Sequence, residues 1–75
     1  MSPDTLIRMA NQIGAFFEVM PDREQAVKDI ASHLRRTWDP RMRTELLDTL
    51  GGANEAKLKT VVRDAVIALR HSDTA

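Results

Sequence analysis

The chain contains few of the residue types that carry out catalysis. It has 75 residues, no cysteine and no tyrosine, and its two histidines are His33 and His71. The absence of cysteine excludes disulfides, thiolate nucleophiles and cysteine-ligated zinc or iron–sulfur clusters. The histidines fall in different predicted helices, and Asp29, one turn before His33, is the ordinary neighbour of a surface histidine. We therefore expect no metal site and no cofactor.

Nucleophilic catalysis and phosphate binding have no better support. Ser2 and Ser32 are the only serines outside the C-terminal tail, and Ser2 is explained as a helix cap. Gly51-Gly52 lacks the lysine or threonine that would follow at the spacing of a phosphate-binding loop. We predict no catalytic residues and no enzymatic activity of the chain's own.

A local excess of positive charge is the clearest polar feature. The window 33–43 holds four arginines beside Trp38 and a single acid, Asp39. The arginines are Arg35, Arg36, Arg41 and Arg43. Arginine and tryptophan dominate interface hot spots, so we place a protein contact first. A solvated face, with the arginines paired to Glu24, Asp29 and Glu45 of their own chain, comes second. A nucleic-acid contact comes third, because the acids of the following helix would repel phosphates.

The first predicted helix carries fewer charges than a solvated helix face normally does. Between residues 6 and 20 the only charged side chains are Arg8 and Glu18. Single exposed apolar residues are normal, but the pattern also fits a helix covered by its own bundle on one side and by another chain on the other. Arginine, asparagine and glutamine can satisfy polar groups of such a partner. The predicted contact residues are Arg8, Asn11, Gln12 and Ala15.

All the elements that position these residues are predicted helices. Ser2, Asp22 and Asp39 can each cap a helix start, and a proline follows the first and third caps. Gly51-Gly52 can end the third helix, and Asn54 can begin the fourth. We predict an all-α fold, a small bundle of four helices with a short third helix, as one domain over residues 1–75. The predicted helices are about 3–20, 22–37, 40–50 and 54–71.

Apolar residues at helical spacing predict which faces form the core. For the first helix they are Leu6, Met9, Ala10, Ile13, Phe16, Phe17 and Met20. For the fourth they are Leu58, Val61, Val62, Ala65, Val66 and Leu69. Trp38 stands where a hydrophobic staple would pack over the start of the third helix, so we expect it to set the angle between helices two and three.

Charge and hydropathy limit the partners. Eleven basic residues balance eleven acidic ones, which argues against a nucleic-acid binder that works by bulk charge. The N-terminal residues lack the basic and apolar regions of a signal peptide, and no apolar run reaches the roughly 18 residues of a membrane span. We expect a cytoplasmic protein with neither nucleic acid nor membrane as partner.

Two stretches, residues 6–17 and 33–43, resemble the delta subunit of NAD-dependent formate dehydrogenase. The strings Met-Ala-Asn-Gln-Ile at 9–13 and Trp-Asp-Pro-Arg-Met-Arg at 38–43 are specific, since each combines uncommon residue types in a fixed order. The similarity continues through the helix that contains residues 61–66 and covers nearly the whole chain. Residues 51–57 match least.

The resemblance implies a non-catalytic accessory or assembly subunit of a cytoplasmic formate dehydrogenase complex. In such complexes the alpha subunit carries a molybdenum or tungsten pterin and iron–sulfur clusters, and the beta and gamma subunits pass electrons to NAD. The delta subunit is implied to carry no cofactor and to bind the catalytic subunits, alpha above all, either stabilising them or helping cofactor insertion. Without them, the exposed apolar surface of the first helix can support self-association.

Two other classes stay open on the residues alone. One is a small helical DNA-binding or antitoxin-like regulator that uses the window 35–43. The other is a free-standing helical adaptor unrelated to formate metabolism. Duplex binding that weakens steeply with salt would mark the regulator, and neighbouring genes would separate the adaptor from the accessory subunit.

Overall fold

Four α-helices make up most of the chain in a computed structural model, which describes residues 2–74, with side chains through Ser72. Met1 and Ala75, the ends of the predicted domain, lie outside the described residues. The helices are α1 (Pro3–Phe17), α2 (Arg23–Thr37), α3 (Pro40–Leu47) and α4 (Thr60–Thr74), and a 3₁₀ segment (Ala53–Lys57) precedes α4. No strand occurs in residues 2–74. The predicted all-α bundle with a short third helix is confirmed.

The first three helices begin where the capping residues predict. Ser2 Oγ accepts a hydrogen bond from the Thr5 amide at 3.3 Å. Asp22 Oδ1 accepts from the Gln25 amide at 3.1 Å, and Asp39 Oδ1 accepts from the Met42 amide at 2.9 Å. Each side chain satisfies an amide that the helix itself leaves unpaired.

Two helices end earlier than predicted. α1 stops at Phe17 rather than near residue 20, in a turn closed by the Met20 amide on the Phe17 carbonyl. α3 stops at Leu47 rather than at 50, because the Thr49 and Leu50 amides each bond three residues back. Such bonds tighten a last turn and end the α-helix. Gly51 follows with a φ of 83°, which glycine adopts without strain.

The start of the fourth helix also differs from the prediction. Asn54 lies in the 3₁₀ segment, and α4 begins only at Thr60. The Glu55 carboxylate accepts from the Gly51 amide at 2.8 Å and from Arg63 Nε at 2.9 Å. These two hydrogen bonds hold the pKa of Glu55 below its usual value. The carboxylate thus stabilises a compact connection where the prediction had a continuous helix.

The core contains side chains from all four helices. The largest fully buried ones are Leu6, Ile30, Leu34, Leu46, Val61, Val62, Val66 and Leu69. All six residues predicted for the apolar face of the fourth helix are buried. None of the helices described exceeds 15 residues, and none is long and apolar enough to cross a membrane.

The buried face of α1 is rotated from the predicted one. Phe16, predicted for the core, is 74% exposed, whereas Ile7 and Gly14 are buried. A Cβ atom at Gly14 would lie 2.4 Å from Val62 Cγ2, so this glycine lets α1 approach α4 closely. The apolar periodicity missed this face because it weighs large side chains and ignores close backbone approach.

Trp38 occupies the junction of α2 and α3. Its side chain is 6% exposed, and its amide donates to the Leu34 carbonyl at 2.9 Å to close α2. Asp39, the next residue, caps α3. The predicted structural position of Trp38 is confirmed.

Gly14→Ala is expected to destabilise the fold. Alanine normally stabilises a helix interior by roughly 1 kcal/mol relative to glycine, but here the added methyl group meets Val62, a stiff and fully buried side chain. We expect a net loss of about 1–3 kcal/mol in urea unfolding. The double variant with Val62→Ala should lose less than the sum of the single changes. A raised melting temperature for Gly14→Ala would contradict the close contact.

Trp38→Ala should cost about 3–5 kcal/mol of unfolding free energy, because it leaves a cavity between α2 and α3. Trp38→Phe, which keeps an aromatic ring, should cost less. Unfolding is followed by far-ultraviolet circular dichroism, since the substitution removes the only tryptophan of the chain. An unchanged midpoint for Trp38→Ala would show that the indole does not support the junction.

Candidate protein interface

The exposed side of α1 forms a ridge with little charge. It consists of the exposed residues Arg8, Gln12, Ala15, Phe16 and, in the turn that follows, Val19. We call this set the α1 ridge. Asp4 and Glu18, exposed at the two ends, are paired with lysines. Phe16 and Val19, at 74% and 81% exposure, are the two exposed large apolar residues of the part described. The low-charge surface that the sequence predicts is therefore present, and it includes a phenylalanine that the sequence placed in the core.

A groove with charged edges lies on one side of the ridge, between α1 and the 3₁₀ segment. Its volume is about 390 Å³. We call it the polar groove, and its lining includes all four residues predicted as contacts on this helix: Arg8, Asn11, Gln12 and Ala15. Lys57 Nζ lies 3.1 Å from Asp4 Oδ1, and Lys59 Nζ lies 3.1 Å from Glu18 Oε1.

Asn11 in this groove is engaged by its own chain. Its Nδ2 donates to the Lys57 carbonyl at 3.0 Å, and its Oδ1 accepts from the Lys59 amide at 3.0 Å. Both bonds hold the backbone on either side of the buried Leu58. The side chain thereby fixes the entry to α4 against α1. The partners stand 46 and 48 residues away in sequence, so no local pattern indicated this role.

A second groove lies on the other side of the ridge, between α1 and α2. Its volume is about 500 Å³, and we call it the apolar groove. It is lined by Met9, Gln12, Ile13, Phe16, Phe17 and His33. The rings of Phe16 and Phe17 meet edge to face with centroids 5.1 Å apart, and the Phe17 and His33 centroids are 6.2 Å apart. Gln12 lines both grooves, so the ridge separates them.

His33 is therefore part of an apolar wall. Among residues 2–72, no three histidine, aspartate or glutamate side chains gather in a way that could hold a metal ion.

The sequence did not predict the apolar groove, because its periodicity assigned Ile13, Phe16 and Phe17 to the core. The signal available was the excess of large apolar residues at the end of α1 over what one helix face can bury.

The four arginines of the window 33–43 lie around the junction of α2 and α3. Arg43 Nη1 donates to the Arg35 carbonyl at 2.7 Å, which satisfies a carbonyl in the last turn of α2. Arg35 Nη2 donates to Ser72 Oγ on α4. Arg36 Nε donates to the Ser32 carbonyl at 3.4 Å. Arg43 and Arg35 therefore also join α2 to α3 and to α4.

None of these four guanidinium groups lies within 4.0 Å of a carboxylate oxygen in the described part of the chain. Glu24 pairs with Lys28 at 3.7 Å, and Asp29 Oδ1 accepts from Gln25 Nε2 at 2.9 Å. Within the described residues, Glu24, Asp29 and Glu45 therefore form no ion pair with the four arginines. The four arginines thus have no ion-pair partner in the described part of the chain, although Glu45 and the exposed Asp48 lie in the same region.

The structure thus arranges the predicted contact residues in two sets. Arg8, Asn11, Gln12 and Ala15 follow α1, and the four arginines surround the α2–α3 junction. Trp38 lies buried beneath the second set. The side chains of Arg8 and Arg41 make no hydrogen bond or ion pair with residues that the structure describes. Their guanidinium groups are the least restrained of the two sets.

Comparison with protein families gives a match over most of the chain. The family model described as the NADH-dependent formate dehydrogenase delta subunit FdsD matches residues 5–66 of this chain. That range contains nearly all of α1, the whole of α2 and α3, and the first half of α4. No curated protein and no solved structure shows a significant match.

Asn11→Ala should destabilise the fold although the position faces the surface. It leaves the Lys57 carbonyl and the Lys59 amide without their partner, which costs about 1–3 kcal/mol in chemical unfolding. Gln12→Ala is the matched control, since it removes an amide from the next position, which is exposed, and should stay within about 0.5 kcal/mol. Equal stability of the two variants would show that the Asn11 bonds contribute nothing.

Proposed function

The chain belongs to the family of the delta subunit of NADH-dependent formate dehydrogenase, and from this premise we propose that it is a non-catalytic accessory subunit of that enzyme. It binds the large molybdopterin-containing subunit in the cytoplasm and supports the formation of active enzyme. The chain has no cysteine to offer as a cluster ligand. Its contribution is made through protein contacts.

The observation that carries this proposal is the surface that the bundle leaves uncovered on α1. The α1 ridge carries two exposed large apolar side chains and has a groove on each side, which is a surface that a partner can cover. Contiguous apolar surface of this kind marks protein interaction sites. A single domain of this size also has a small core, and a partner is a common source of additional stability.

The unpaired arginines support an acidic partner surface. Arginine pairs bidentately with carboxylates, and its aliphatic stem covers apolar surface. Of the residues predicted from the sequence, Arg8, Gln12, Ala15, Arg36 and Arg41 are the ones we assign to direct contact. Asn11, Trp38, Arg35 and Arg43 are bonded or buried within the chain, so we assign them to holding the two surfaces in shape. Nucleic acid is disfavoured because the exposed Asp48 and the partly buried Glu45 share this region.

Ala15→Glu tests the ridge, in a chain co-expressed with the catalytic subunits. The isolated variant should keep its unfolding free energy within about 0.5 kcal/mol, because position 15 is exposed. Retention of the large subunit by the tagged chain should fall about tenfold, since the change buries an unpaired charge in the contact. Formate-dependent NAD reduction in the lysate should fall with it.

Lys28→Glu is the control for added negative charge, since Lys28 is exposed on α2 and its only described partner is Glu24. It should retain the large subunit as the parent does. Gln12→Glu and Arg41→Glu extend the test to the groove and to the arginines. If these variants retain the enzyme subunits and support formate oxidation as well as the parent, the assigned surfaces are not the interface.

A further inference from the structure

The apolar groove has features that the fold itself does not require. Met9, Ile13 and Phe16 line one wall at a spacing of four and three residues along α1, and His33 of α2 stands on the other. This wall covers two helical turns, about 10 Å at 1.5 Å per residue. Phe16 keeps most of its ring in solvent. The apolar groove is therefore open to solvent along these two turns of α1.

One helical turn beyond His33, α2 carries a cationic side chain, Arg36. Arg36 lies three residues after His33, so the two share a face of α2. Its Nε donates to the Ser32 carbonyl, and no carboxylate of the described residues approaches its guanidinium group within 4.0 Å. The acid one turn to the other side of His33, Asp29, is bonded to Gln25. Helix spacing therefore places Arg36 beside the α2 wall of the apolar groove, where no described carboxylate pairs with it.

We infer that the apolar groove receives an amphipathic helix of the large formate dehydrogenase subunit, with an acidic side chain that pairs with Arg36. This inference rests on the proposed function and names the element bound. A helix presents apolar side chains at the same four- and three-residue spacing over two turns, which matches the α1 wall. The flexible thioether of Met9 adapts to such side chains.

A second copy of this chain fits the groove less well. The exposed ridge of α1 offers apolar side chains, but its charged residue is Arg8. The acids at the two ends of this helix, Asp4 and Glu18, are paired with Lys57 and Lys59 at 3.1 Å each. A copy would therefore bring no free carboxylate on the same helix to meet Arg36. Charge complementarity thus favours a different chain with an acidic apolar helix.

The apolar half of the inference is tested with Phe16→Ser and its control Ile67→Ser. Both replace a large apolar residue outside the packed core, but Ile67 lies on α4 and lines neither groove. The probe is the purified set of catalytic subunits, produced without the delta chain, and binding to the full 75-residue chain is measured by titration. Phe16→Ser should weaken binding about tenfold or more, and Ile67→Ser by no more than about twofold. The melting temperature of Phe16→Ser should stay near that of the parent.

The charged half is tested with Arg36→Glu and its matched control Lys28→Glu. Both reverse one charge on an exposed position of α2, but Lys28 lies eight residues before Arg36, about 12 Å along the helix axis. Arg36→Glu should weaken binding about tenfold, and Arg36→Lys by less, since lysine keeps the charge and loses the bidentate geometry. Added salt should reduce the difference in binding affinity between Arg36→Glu and the parent, because it screens the ion pair.

A photoreactive benzoylphenylalanine at position 16 identifies what occupies the groove. Mass spectrometry of the cross-linked complex should return a peptide of the large subunit that reads as an amphipathic helix with at least one acid. Cross-links to another copy of this chain, or a dimer that Phe16→Ser dissociates, would overturn the assignment of the occupant.

The remaining outcomes separate this inference from the proposed function. A parent chain that fails to bind the catalytic subunits at all would overturn both. A parent that binds, with Phe16→Ser and Arg36→Glu no weaker than their controls, would overturn the groove and leave the accessory role standing.

Discussion

The close approach of α1 to α4 at Gly14 is the contact on which the rest of the structure depends. A side chain at this position would collide with Val62, which is fully buried. The contact therefore decides which face of α1 turns inward, and it brings Ile7 and Ala10 into the core with Leu6. Because close-packed interiors tolerate little change of volume, α1 has no freedom to rotate about its axis.

The same contact explains which side chains of α1 remain exposed to solvent. Successive residues of a helix are about 100° apart, so Phe16 points nearly opposite to Gly14. Turning the glycine toward α4 necessarily turns the phenylalanine toward solvent. Asn11 then fixes α1 along its length by bonding the backbone on both sides of Leu58. The ridge and its two grooves are consequences of how the core packs, and a local change at Phe16 leaves that packing intact.

Much of the fold was readable from local chemistry, and the parts that were not share one cause. Caps at Ser2, Asp22 and Asp39 act within three residues, so the first three helix starts were predictable. The rotation of α1 depends on Val62, and the role of Asn11 depends on Lys57 and Lys59. All of these partners are more than forty residues away, and the sequence periodicity has no access to them.

The candidate site shows the same division between local and distant information. The low charge of α1 and the arginines of the window 33–43 are visible in composition. Whether Arg36 and Arg41 form ion pairs with carboxylates of their own chain depends on which side chains the fold brings within 4 Å of them. Composition alone does not predict this. The zero net charge of the chain does not indicate this surface, because acids such as Glu55 and Asp64 form ion pairs with Arg63 and Arg23 in other parts of the bundle. A chain with zero net charge can thus present a cationic surface, because folding distributes its ion pairs unevenly.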